Sequence, residues 1–188
     1  MNLFFFLRLT SSSLCMSVFL KMKKRRNFDK MNLQKEDHTM KIGIACDHGA
    51  VEYKTEIIAM LVEQGHEVID CGCDGKESVD YPDYGYKCAK LVQSGEVEKG
   101  IVMCGTGIGI GISANKVKGI RCGLCFDTTM ARLTREHNDA NMLAVGQRTT
   151  GIEVVKDIVN TFLTTPFSNG ERHIKRIEKL MAIEEMEG

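Results

Sequence analysis

The segment Cys104-Gly-Thr-Gly-Ile-Gly-Ile-Gly111 places a thiol directly before a glycine-rich turn. Glycines let consecutive backbone N–H groups turn toward a ligand, and such a nest can hold a phosphate or a developing oxyanion. The same N–H groups would favour the thiolate of Cys104, and a thiol so placed can act as a base or a nucleophile. The alternative is that Cys104 is simply the last buried residue of a strand. Asp47-His48-Gly49-Ala50, His137-Asn138-Asp139 and Gly146-Gln147-Arg148 add carboxylates, two imidazoles and a guanidinium. Arg172 and Arg176 are four apart and share one helical face. With Arg148 they would make a phosphate clamp, although arginines exposed on a helix are commonly just solvated. His38 and His66 read as surface residues. Gly109-x-Gly111-x-x-Ala114 has the spacing of a dinucleotide-binding turn. That turn belongs after a first strand, and this one follows the third. No Gly-Lys-Ser/Thr occurs, so there is no P-loop.

The elements that must position these groups follow from hydrophobic periodicity. Apolar runs at 41–47, 67–72, 100–104, 120–126 and 141–146 predict strands. Helical spacing predicts helices at 51–64, 82–94, from the glycine-rich turn to 116, 128–136, 152–163 and 172–186. Continuous apolar strands separated by helices belong to a parallel sheet covered on both faces. The expected fold is therefore a three-layer α/β/α, Rossmann-like domain. Its sheet is five-stranded and mainly parallel, and an extra C-terminal helix follows. In such sheets ligands bind beyond the carboxyl ends of the strands. The thiol, Asp47, the imidazole of His137 and Arg148 are expected on that one rim.

Composition narrows the classes. The 188 residues carry 25 basic and 25 acidic side chains. Residues 1–39 hold eight basic and three acidic residues, which leaves them at +5 and the remainder at −5. A slightly acidic domain offers no electrostatic footing for nucleic acid. The apolar run near the N-terminus is broken by Arg8 and 10–13 and is short for a bilayer, and its basic residues follow rather than precede it, unlike a secretory signal. Residues 1–39 are expected to be a basic extension, disordered or lying before an internal start at Met40, with the domain at 40–188. The eight cysteines fall mostly inside apolar runs, as small packing residues do in a reducing cytoplasm. Cys122-x-x-Cys125 lacks a second pair for zinc, and on a strand its two sulfurs would point to opposite faces.

Five ordered segments together resemble the B-type ribose-5-phosphate isomerases, in the family that also holds galactose-6-phosphate isomerase subunits. They are DHGA at 47–50, DYPDYG at 80–85, CGTGIGIGISANK at 104–116, REHNDANMLAVGQR at 135–148 and ERHIKRIEKL at 171–180. The resemblance implies aldose–ketose isomerisation through a cis-enediolate in the pentose phosphate pathway, with no metal and no cofactor. It implies Cys104 as the base between C2 and C1. Gly105, Thr106, Gly107 and Gly109 would form the anion hole, with Thr106 shuttling hydroxyl protons. His137 would open the furanose ring with Asp47 as partner, and Asn138 and Tyr81 would touch the sugar. His48, Arg148, Arg172 and Arg176 would hold the phosphate. A homodimer or tetramer with shared active sites is implied too. An isomerase of a six-carbon sugar phosphate and a non-catalytic sugar-phosphate-binding module are the alternatives. Three positions depart from the family pattern. Gly49-Ala50 stands where Ala-Gly is commoner, and Gly111 replaces a frequent Ser whose hydroxyl would be lost near the anion.

Overall fold

A computed structural model describes residues 39–186. Strands β1 (Lys41–Cys46), β2 (Glu67–Asp70), β3 (Lys99–Cys104), β4 (Cys122–Leu124) and β5 (Met142–Gly146) alternate with helices α1 (Val51–Glu63), α2 (Tyr81–Ser94), α3 (Ile108–Ala114), α4 (Thr128–Asn138) and α5 (Ile152–Thr164). Helix α6 (Glu171–Met186) follows. The sheet order is β2-β1-β3-β5-β4, and every pairing is parallel. The basic extension expected at 1–39 lies, except for Thr39, outside the described residues. Among the described residues no helix is long and apolar enough to cross a membrane.

The two-residue period of the strands builds two cores, one on each face of the sheet. Ile42, Ile44, Ile101, Met103, Leu143 and Val145 face α1 and α5, where Ile57, Leu61, Val155, Ile158 and Phe162 meet them. Ala45, Val102, Cys104, Met142 and Ala144 face α2 and α3, with Cys88, Ala89, Ile110 and Ala114. The residues on this second face are smaller, so the helices sit closer. A Cβ on Gly111 would lie 3.0 Å from that of Ala144. Gly111 thus points at the sheet, and its missing hydroxyl is a matter of packing rather than of anion binding. Phe162 is fully buried, with the Arg135 guanidinium 5.7 Å from its ring centre. Truncating such a ring to Ala costs about 3–5 kcal/mol.

Gly95 caps α2 in the left-handed region, and Gly65 (φ 87°) follows the end of α1. Two elements depart from the periodicity. Strand β4 is only three residues long because it is an edge strand with one partner, β5. Ile120 is apolar because it packs with α3, not because it joins the ladder. Helix α4 runs two residues beyond Glu136, to Asn138, and ends at Asp139 in the left-handed conformation. Cys122 and Cys125 fall into opposite cores, as the strand geometry predicts.

Candidate active site

The chain leaves β1 toward β2 on one side and crosses back to β3 on the other, so the connections diverge beyond the carboxyl ends of β1 and β3. Open parallel sheets form their ligand crevice at such a switch point. Cys104 ends β3 there and is 5% exposed. Its Sγ accepts the Gly107 N–H at 3.0 Å. That bond is available because Gly107 adopts φ 78°, a conformation that costs an L side chain energy. Thr106 is exposed on the same turn, and its Oγ1 accepts the Ile108 N–H at 3.3 Å.

The turn after β1 abuts the turn after β3. Asp47 is buried, and its Oδ1 accepts the Gly49 N–H at 2.8 Å. A Cβ on Gly49 would stand 3.2 Å from the Gly105 nitrogen, so glycine at this position lets the two turns touch. The Arg148 N–H donates to the Gly105 carbonyl at 2.8 Å, and the Arg148 side chain passes close over Gly105. His48 and Arg148 line one cleft of about 220 Å³. His48 Nδ1 accepts the Val79 N–H at 3.2 Å, which leaves the ring proton on Nε2. The Tyr81 ring lies directly over Gly109, where a Cβ would meet it at 2.8 Å. Asp47, His48, Tyr81, Cys104, Gly105, Thr106, Gly107, Gly109 and Arg148 therefore gather at one rim. Backbone donors, a thiol and two phosphate-competent side chains converge on it.

His137 does not join them. A helix that follows a parallel strand runs back along the sheet, so α4 delivers its last turn to the amino ends of the strands. Arg121, which precedes β4, donates from Nε to the Asn138 carbonyl at 3.0 Å. Asn138 comes before β5 and Arg148 after it, and five strand residues span about 17 Å. The expectation that His137 shares a rim with Cys104 is thus corrected by the direction of α4. Helix α6 lies at the same amino end. His173, a residue whose role the sequence did not reveal, is buried with its ring centre 4.4 Å from that of His137. Its Nε2 accepts the Arg172 Nε–H at 2.9 Å, so its Nδ1 carries the proton and faces Ser168 Oγ at 2.9 Å. His137, Asn138, Arg172 and Arg176 form a second cluster at this end, Arg176 one turn beyond Arg172 on the same helical face. No fixed spacing links Ser168, His173 and His137, so only the fold could bring them together.

Burial pushes the thiols of Cys46, Cys122 and Cys125 up to about 12. Among the described residues, no three His, Cys, Asp or Glu side chains are grouped to hold a metal ion.

The fold and the rim define a class: a doubly wound α/β domain with a buried thiol set against a backbone anion nest at its switch point. A model of the ribose/galactose isomerase family matches residues 42–180, and the chain belongs to that family. Ribose-5-phosphate isomerase B of Escherichia coli is 48% identical over 145 residues, covering 77% of this chain and 97% of the relative. A ribose-5-phosphate isomerase B structure from Clostridium thermocellum has a TM-score of 0.78 at 53% identity, covering 79% of this chain and all of that one. The type B enzyme of Trypanosoma cruzi superposes with a TM-score of 0.77 at 46% identity, covering 80% of this chain and 99% of that one.

Proposed function

We propose that the protein is a ribose-5-phosphate isomerase whose active site is completed by a second copy of the chain. The observation that carries the chemistry is the Cys104 Sγ held by the Gly107 N–H at 3.0 Å, within the turn that His48 and Arg148 flank. In open-chain ribose 5-phosphate, the Cys104 thiolate takes the proton from C2. The C2–H electrons form the C1=C2 bond, and the former aldehyde oxygen becomes an enediolate oxygen. The N–H groups of Gly105 and Gly109 stabilise that oxygen, with the Gly107 N–H shared between it and Cys104 Sγ, as a preorganised anion hole does. Thr106 moves the proton between the two oxygens. Cys104 then returns its proton to C1, and the carbonyl reforms at C2 as ribulose 5-phosphate. The phosphate is held remotely, so its binding energy serves to orient the reacting carbons.

Ring opening needs an acid–base group at the furanose oxygen, and His137 with Asn138 is the candidate. In one protomer that pair stands at the wrong end of the sheet. A second copy that packs its amino end against this carboxyl rim brings the partner subunit's His137 toward Asp47, and its Arg172 and Arg176 toward the phosphate beside His48 and Arg148. Tyr81, Ile108, Ile112, Phe126 and Met130 are exposed around the carboxyl rim and supply apolar surface for such a contact. The described cysteines are all free thiols, in keeping with work in a reducing cytoplasm. Purified protein should convert ribose 5-phosphate to ribulose 5-phosphate. Turnover of allose 6-phosphate or galactose 6-phosphate with none of the pentose would refute the substrate.

A further inference from the structure

Lys54 of α1 is 2% exposed. A buried ammonium persists only when paired, and even then apolar replacements are often no less stable. Lys54 Nζ donates to both Asp70 oxygens, at 2.9 and 2.7 Å, and to Asp74 Oδ1 at 2.6 Å. Burial alone would lower the ammonium, but the two carboxylates outweigh it and hold it above its ordinary value. Asp70 ends β2, and Asp74 lies in the segment 71–80 that leads to α2. One side chain therefore ties that segment to α1. Further bonds set its path: Gly72 N–H donates to Asp70 Oδ1 at 2.8 Å, and Lys87 Nζ to the Cys71 carbonyl at 3.2 Å. The far end of the segment carries Val79, whose N–H reaches His48 Nδ1. Its middle carries Lys76, which pairs with Glu52 at 3.5 Å and lines the same cleft as His48 and Arg148.

We propose that Lys54 is a positioning residue for the phosphate end of the site, acting through the 71–80 segment on His48 and Lys76. The clamp presents the Val79 N–H to Nδ1, so that Nε2–H is the group His48 offers to the cleft. It also sets Lys76 on the cleft rim, where a phosphate can replace Glu52 as its partner. The inference rests on the reading of His48 as a phosphate ligand.

Lys54→Met keeps most of the stem and removes the charge. Asp70 and Asp74 then rely on water, which they already reach with side-chain exposures of 39% and 85%. In the full-length protein, KM for ribose 5-phosphate should rise roughly tenfold while kcat changes less than about twofold. The His48 nitrogen NMR shifts should move from a single Nε2–H tautomer toward a mixture, and Lys54→Arg should restore most of both readouts. Val79→Pro removes the N–H itself. It should reproduce the KM effect, and the double variant should add little to it. If Lys54→Met does not fold, Asp74→Asn tests the same clamp from an exposed position, with about a threefold rise in KM expected. Unchanged KM and unchanged His48 shifts in a folded variant would reduce Lys54 to a purely structural role. His48→Ala separates the two claims. If it leaves KM unchanged, the phosphate reading of His48 fails, while the tautomer readout still decides the clamp. If it raises KM and Lys54→Met does not, the clamp fails alone.

Discussion

The two ends of the sheet are built by different means. At the carboxyl ends of the strands, Cys104 closes β3 while Asp47, His48, Thr106 and Arg148 sit one or two residues past a strand, and backbone bonds hold them. Gly107 N–H meets Cys104 Sγ, Arg148 N–H meets the Gly105 carbonyl, and Gly49 N–H meets Asp47. At the amino ends, the groups come from the last turn of α4 and the first turns of α6, and side chains hold them. His173 leans on His137, takes a bond from Arg172 and reaches Ser168. The first end can stabilise an anion and move a proton. The second offers an imidazole and two guanidiniums. The carboxyl end has His48 and Arg148 of its own, but the thiol and the glycine-rich turn are at that end alone, and a strand's length separates the two.

This contrast can be broken in graded steps. Cys104→Ala strikes the proton transfer itself and should lower turnover by roughly 10²–10⁴-fold, read as loss of solvent deuterium exchange at C2. Unchanged exchange would return Cys104 to the role of a packing residue. His137→Asn strikes only the other end. Conversion of cyclic ribose 5-phosphate should fall about 100-fold, and conversion of open-chain ribulose 5-phosphate far less. Equal losses on both substrates would remove His137 from ring opening. His173→Asn should weaken the Arg172 grip and raise KM several-fold with a smaller change in kcat, checked by steady-state kinetics.

The cysteines sharpen the contrast within one residue type. Burial raises the Cys46, Cys122 and Cys125 thiols from an ordinary 9.0 to about 12. The folded state thus holds these protons more tightly than the unfolded chain. The stability they contribute is fully present below pH 9.0 and is lost as pH climbs toward about 12. Thermal unfolding followed across that range should show Tm falling, and replacing all three with Ala or Val should flatten the fall. The smallest effect is expected from removing residues 1–39. Protein beginning at Met40 should keep its kcat/KM within about twofold, because every group named at either end lies beyond that residue.

Much of this was legible in the sequence, for reasons that differ by element. The apolar runs of β1, β3 and β5 are buried on both faces, so periodicity finds them within a residue or two. Strand β4 is shorter than its apolar stretch because Ile120 packs without pairing. The carboxyl rim was readable because its chemistry follows strand ends directly and its turns need glycine. The amino-end cluster was not, for a geometric reason. His137 has the right type and the right neighbours, but a helix reverses direction, and a list of residues carries no direction. His173 and Lys54 were invisible for another reason. Their partners, Arg172 with Ser168 and Asp70 with Asp74, matter only after folding has placed them.

If each active site is shared between subunits, neither end works without the other end of a second subunit. Co-expression of Cys104→Ala and His137→Asn chains tests it most directly, with ribose 5-phosphate as substrate. Random pairing makes half of the dimers mixed, and in each of these one of the two sites combines an intact Cys104 with an intact His137. Sites shared between subunits should restore about a quarter of wild-type activity from two nearly inactive chains. Activity no higher than the sum of the two variants alone, in a sample shown to contain mixed dimers, would contradict it.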